Sequence, residues 1–107
     1  MPSLSMPSFS QLRAFVTLCD HKHYGDAAAA LGVSQPSLSQ SISALEKRVD
    51  GPLIERTTRQ VLITPLGQDL LPFARDAVLA AEGFIEAASR ISQERYGQVR
   101  LGIIPTA

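Results

Sequence analysis

Residues 24 to 43, YGDAAAALGVSQPSLSQSIS, fit one local structure: a short helix, a tight turn and a second helix. Tyr24, Ala28 and Leu31 recur at helical spacing, Gly32 stops that helix, and Ser34 opens the next with Pro36 in its first turn. The second helix carries Leu38, Ile42, Leu45 and Val49 on one stripe, so Pro36, Ser39, Gln40, Ser43 and Lys47 point the other way. That outward face is short, polar and nearly uncharged. Side chains of this kind fit a DNA major groove, where Gln pairs well with adenine and Ser serves several bases. An ordinary amphipathic hairpin with a solvated Ser/Gln face satisfies the same periodicity.

The residues that follow narrow the choice. Leu53 to Arg56 and Val61 to Thr64 read as two short strands around the polar tip Thr57, Thr58, Arg59 and Gln60. A helix-turn-helix followed directly by a small hairpin is a winged helix. A third segment then begins at Thr64, a good N-cap, with Pro65 at the first helical position. In it Leu70, Ala74, Ala77, Ala81, Phe84, Ala88 and Ile91 recur in steps of four and three, a heptad seam, with Leu71, Val78 and Ile85 beside it. So broad an apolar arc exceeds what a domain this small can bury, which implies a partner helix. Packing of both stripes on the winged helix is the alternative. Pro72 lacks an amide hydrogen, so a bend is expected near residues 68 to 72. Gly83 weakens the middle of the helix by about 1 kcal/mol relative to alanine. The fold class is therefore mainly α, a winged helix-turn-helix followed by a long linker helix.

At the other end, Met1 to Pro7 alternates Pro and Ser with isolated apolar residues and is expected to be disordered. Ser8 and Gln11 suit a capping box, after which Leu12, Phe15, Val16 and Cys19 form the buried face of the first helix. Cys19 reads as a small core residue, with no basic neighbour on that face to favour the thiolate. His21 and His23 lie between the first two helices, too few ligands for a metal. No Gly-x-Ser-x-Gly elbow is present to activate a serine. Enzymatic activity and cofactors are not expected.

A chain of 107 residues with 45% hydrophobic residues suits one compact domain plus an extra element. No apolar run is long enough to span a bilayer, and MPSLSMPS lacks the regions of a signal peptide. A lone cysteine suits a reducing cytosol, so a cytoplasmic protein is expected. Charge runs against simple nucleic-acid affinity: ten Lys plus Arg balance ten Asp plus Glu. Residues 1 to 64 hold six basic side chains against five acidic ones. A neutral chain is not a general DNA binder.

The stretch SQPSLSQSISALEKRVDGPLIERTTRQVLITPLG resembles the DNA-binding end of LysR-type transcriptional regulators, from the Ser-Gln start of the recognition helix through the Leu-Glu pair, the Glu-Arg of the wing and Thr-Pro-x-Gly. The resemblance covers roughly residues 8 to 92. HKHYGDAA and LGIIPTA are similar to the peroxide-sensing OxyR-type subgroup. It implies a winged helix-turn-helix over 8–64, a linker and dimerisation helix over 65–93, then a hinge and the first strand of a truncated effector domain over 94–107, with Val99 to Ile104 as that strand. The peroxide-reactive cysteines of such regulators belong to the effector domain, so this fragment is expected not to sense peroxide. By motif, Gln35, Pro36 and Ser37 match residues that meet base edges, with Gln40 further along the same face. Ser34 and Ser39 match phosphate-holding positions, and Arg59 matches a wing-tip arginine that enters an A/T-rich minor groove. Arg56 either reaches phosphate or pairs with Glu46 to orient the wing. His23 stands where many family members carry a capping Ser, which suits a local hydrogen bond or a phosphate contact. Gln40, Ser41, Ser43 and Ala44 replace the Arg or Lys that the family often places along this helix.

The implied partners are double-stranded promoter DNA and a second copy of the chain, with a tetramer when full length and no membrane. The competing reading is a winged-helix protein-interaction module that touches no nucleic acid, and a weaker third is a redox enzyme using Cys19.

Overall fold

The computed structural model describes residues 4–55 and 60–102, with side chains as far as residue 95 in the second stretch. Four helices follow in order: α1 Phe9–His21, α2 Tyr24–Leu31, α3 Gln35–Val49 and α4 Pro65–Gly102. The capping box expected at α1 is present, with Ser8 Oγ accepting from the Gln11 amide and Gln11 Oε1 accepting from the Ser8 amide, each at 3.1 Å. Its apolar face is wider than the periodicity implies: Ala14 and Leu18 are buried alongside Phe15, Val16 and Cys19, and Leu12 is only partly covered.

These side chains form one core with Ala27 and Ala28 of α2, Leu38, Ile42 and Leu45 of α3, Leu53, Ile54 and Val61 from the connection to α4, and Ala74 and Val78 of α4. α1 is the central element, packed against the other three helices. Tyr24, Leu31 and Val49 close the edges and are partly buried.

Of the expected hairpin, the described residues show one antiparallel bridge, Ile54 to Ile63, and no strand; Arg56 and tip residues 57 to 59 lie outside the described residues. The Glu55 amide donates to the Leu62 carbonyl at 2.8 Å. On the other side of the bridge the Thr64 amide donates to the Leu53 carbonyl at 3.0 Å, while the Leu53 and Ile54 amides donate to Glu46 Oε2 on α3, at 2.7 and 3.2 Å.

Residues 4 to 7 also differ from expectation. The Ser5 amide donates to the Arg48 carbonyl at 3.1 Å, and Arg48 Nη1 donates to the Met6 carbonyl at 2.8 Å and to Ser5 Oγ at 3.4 Å. The arm is therefore docked on the end of α3; residues 1 to 3 lie outside the described residues.

α4 begins where Thr64 and Pro65 place it. Thr64 Oγ1 accepts from the Gly67 amide at 3.0 Å and donates to the Pro52 carbonyl at 2.7 Å, tying the helix start to the wing. The helix continues through Pro72, which removes one internal hydrogen bond while packing of the adjacent turns supplies most of the stability. It also continues past residue 93, over the expected hinge and into the expected strand, as far as Gly102. Residues 103 to 107 lie outside the described residues.

Gly67 explains why the start of α4 is Thr-Pro-x-Gly. A β-carbon there would stand 2.5 Å from the Leu53 carbonyl oxygen and 2.6 Å from Ile63 Cγ2. Gly67→Ala is expected to cost about 1–3 kcal/mol through this overlap, more than the ~1 kcal/mol that alanine gains in a helix. Thermal unfolding of the variant checks this; a raised midpoint would show that the junction accepts a side chain.

Candidate nucleic-acid interface

The turn between α2 and α3 is built by two caps. Gly32 adopts the left-handed conformation at φ 71°, and the Val33 amide closes on the Ala28 carbonyl at 3.0 Å. Ser34 is the N-cap of α3, its Oγ accepting from the Ser37 amide at 3.2 Å and its hydroxyl donating to Ser37 Oγ at 3.1 Å. The two serines therefore support each other while both remain exposed.

Burial of Leu38, Ile42 and Leu45 fixes the rotation of α3 and turns its opposite face outward. Gln35, Pro36, Ser37, Gln40 and Lys47 are exposed, whereas Ser39 and Ser43 are half-buried. Gln35, Pro36, Ser37 and Gln40 thus come together as one open polar surface at the start of a rigid helix, with Ser34 at its edge. Ser39 lies at the flank of that surface. Among the described residues, no hydrogen bond engages the Gln35 amide. Arg56 and Arg59 lie outside the described residues.

His23 is the N-cap of α2, with Nδ1 accepting from the Asp26 amide at 3.1 Å. The local hydrogen bond is therefore made by the ring itself. Since Nδ1 is the acceptor, the neutral imidazole carries its proton on Nε2. Sequence reasoning offered Glu46 as a partner of Arg56 that orients the wing, but not as the acceptor of the Leu53 and Ile54 amides; its place on the border of the buried stripe, seven residues before Leu53, was the available signal. Nor did it find the ion pair between Arg75 of α4 and Asp20 of α1, 2.7 Å apart, which raises the Arg75 pKa. Both side chains are partly exposed, so the pair orients the helices more than it stabilises them.

Cys19 is 3% exposed, and burial pushes its thiol up to about 12 despite the opposing charge of Arg75. A thiol so far from ionisation is a packing residue. Among the described residues no group of His, Cys, Asp or Glu is arranged to hold a metal, and no helix is long and apolar enough to cross a membrane.

α4 divides along its length. Ala74 and Val78 are buried within the domain and Leu70 and Leu71 pack against its core, so the first part of the seam is taken up by the chain's own fold. Phe73 and Ala77 of that part face outward and are exposed; beyond it, Phe84, Ala88 and Ile91 are exposed and Ala81 is half-buried, with Leu79 and Ile85 adding large exposed apolar surface.

Comparison with known proteins agrees with this architecture. The profile of the bacterial regulatory helix-turn-helix proteins of the lysR family matches residues 9–68. The chain belongs to the LysR family. A relative from Mycobacterium xenopi, described as a probable hydrogen peroxide-inducible genes activator, is 46% identical over 100 residues, 94% of this chain and 53% of the relative. Oxidised Corynebacterium glutamicum OxyR superposes with a TM-score of 0.75 at 51% identity, over 78% of this chain and 26% of that one. Vibrio fischeri DarR, solved in complex with DNA, superposes with a TM-score of 0.75 at 30% identity, over 83% of this chain and 30% of that one. The chain spans about a third to a half of the length of the curated peroxide-inducible activators it matches. Within the LysR family its resemblance is to the OxyR type.

Proposed function

We propose that this chain is the sequence-specific DNA-binding part of a LysR-type transcriptional regulator of a hydrogen-peroxide response, acting in the cytoplasm as a homodimer and as a tetramer when full length, without enzymatic activity. The observation that carries this reading is the exposed, uncharged Gln35, Pro36, Ser37 and Gln40 surface on a helix whose rotation the core fixes. An amide with donor and acceptor both open suits base edges better than it suits phosphate. The DNA complex of DarR and the names of the mycobacterial relatives support the partner and the signal. Peroxide chemistry itself falls to parts of the regulator outside this chain, because Cys19 is buried and held in the thiol form.

In this reading Gln35, Pro36, Ser37 and Gln40 read bases, Ser34 and Ser39 hold phosphates, and Arg56 and Arg59 bring positive charge to the wing, with Arg59 in an A/T-rich minor groove. Gln35→Ala is expected to cost roughly 1–3 kcal/mol on the preferred site and to relax preference at one or two base positions. Arg59→Ala is expected to weaken binding to all sequences and to make the salt dependence shallower by about one unit per wing lost. Affinities on single-base variants of a duplex selected from random DNA, at several salt concentrations, test both. If Gln35→Ala lowers every affinity equally, Gln35 only positions the protein and does not read bases.

A further inference from the structure

The first turn of α2 and the first residue of α3 meet at Gly25. A β-carbon built there would stand 3.0 Å from His23 Cε1, 3.3 Å from His23 Nδ1 and 3.3 Å from Gln35 Nε2. Relaxed contacts between non-bonded carbons lie at about 3.5–4.0 Å, so a side chain at residue 25 would force one of these groups to move. The backbone does not call for glycine at this place: Gly32 is the glycine with positive φ among the described residues, and Gly25 sits inside a regular helix where alanine is the better helix former. What Gly25 contributes is the missing side chain.

We propose that Gly25 is a positioning residue for base recognition: its bare α-carbon leaves a niche, bounded by the capping ring of His23, in which the Gln35 amide is held at the angle that sets its base preference. The proposal rests on the base-reading role given to Gln35 above. His23 cannot give way far without losing its bond to the Asp26 amide, whereas no hydrogen bond among the described residues anchors the Gln35 amide. A β-carbon presses hardest on the ring, at 3.0 Å from Cε1, and the ring can yield only by the few tenths of an ångström that its bond to the Asp26 amide allows; the unanchored amide, at 3.3 Å, is displaced with it. A two-point contact from an amide to adenine depends on distance and plane together, so a small displacement removes discrimination between bases before it removes affinity.

The test compares Gly25→Ala, Gln35→Ala, the double variant and Gly83→Ala on the duplex selected from random DNA and its single-base variants. Gly83→Ala makes the same exchange within a helix with nothing inside 4 Å of the new carbon, and so controls for helix propensity. Gly25→Ala is expected to melt close to the parent, the pressure on the His23 cap offsetting the helix propensity that alanine gains. It should reduce discrimination roughly fivefold or more, and at the same base positions that Gln35→Ala relaxes, five-fold being the low end of what a two-point contact supplies. In the Gln35→Ala background it should leave base preference unchanged, and Gly83→Ala should leave it unchanged throughout. If Gln35→Ala relaxes a position and Gly25→Ala does not, or if Gly25→Ala still shifts preference when Gln35 is absent, the positioning role is wrong and base reading by Gln35 stands. If Gln35→Ala relaxes no position, the base-reading role fails and the positioning role fails with it.

Discussion

Phe84→Lys is expected to convert a dimer at micromolar concentration into a monomer. On the second half of α4, Phe84 is 72% exposed, Leu79 64% and Ile85 66%, with Ala77, Ala81 and Ala88 as small residues beside them that let another helix approach. A lone soluble chain seldom leaves so large an apolar surface in water, and the heptad spacing suits a second copy of α4 running antiparallel. An ammonium placed in that seam has no partner and must lose water on association, at a cost of about 3–5 kcal/mol, or roughly a hundredfold or more in the dissociation constant. DNA binding is expected to weaken with it, because a single copy of this near-neutral domain neutralises few phosphates, and the salt dependence should become shallower as one copy's contacts are lost. Sedimentation of parent and variant, with a salt titration of each on the selected duplex, provides the measurement. A parent that is monomeric at micromolar concentration, or a variant that dimerises as tightly as the parent, would overturn the assignment of this face.

How far the sequence carried the fold depended on whether each feature was local. Gly32, Ser34 and Pro36 are enough to stop one helix and start another, since a left-handed residue, a side-chain acceptor and a preset φ act within a turn of themselves; the structure places all three as expected. Thr64 and Pro65 are legible for the same reason. The pairing of the wing was legible too, since Ile54 stands opposite Ile63 as the two expected segments place them, but its anchoring was not, because Glu46, a residue on another element, takes the Leu53 and Ile54 amides. Nor was the division of α4: the heptad spacing of Leu70 and Ala74 is the same as that of Phe84 and Ala88, and only the position of α1 decides which are covered. The exposed face of α3 was legible as a set because three buried positions, Leu38, Ile42 and Leu45, fix a helix rotation, while the half-burial of Ser39 and the niche at Gly25 depend on how closely neighbouring helices approach.

Glu46→Ala is expected to release the wing from α3. One carboxylate oxygen of Glu46 accepts two consecutive backbone amides in a partly buried position, at 2.7 and 3.2 Å, and the connection it holds carries Leu53 and Ile54 into the core. Hydrogen bonds to a charged acceptor are the stronger kind, and truncation leaves both amides short of a partner with little room for water. The loss is expected to be about 2–4 kcal/mol, which for a domain of this size lowers the unfolding midpoint by roughly 10–25 °C. Glu46→Gln keeps an acceptor of the same reach without the charge and should recover about half of that loss. Hydrogen exchange separates wing release from general destabilisation. The Leu53 and Ile54 amides should lose protection at temperatures where α1 and α3 amides keep theirs, because the helices retain their own ladders. If those two amides stay as protected in Glu46→Ala as in the parent, the carboxylate is not what holds them, and the single bridge between Ile54 and Ile63 must be sufficient to anchor the wing.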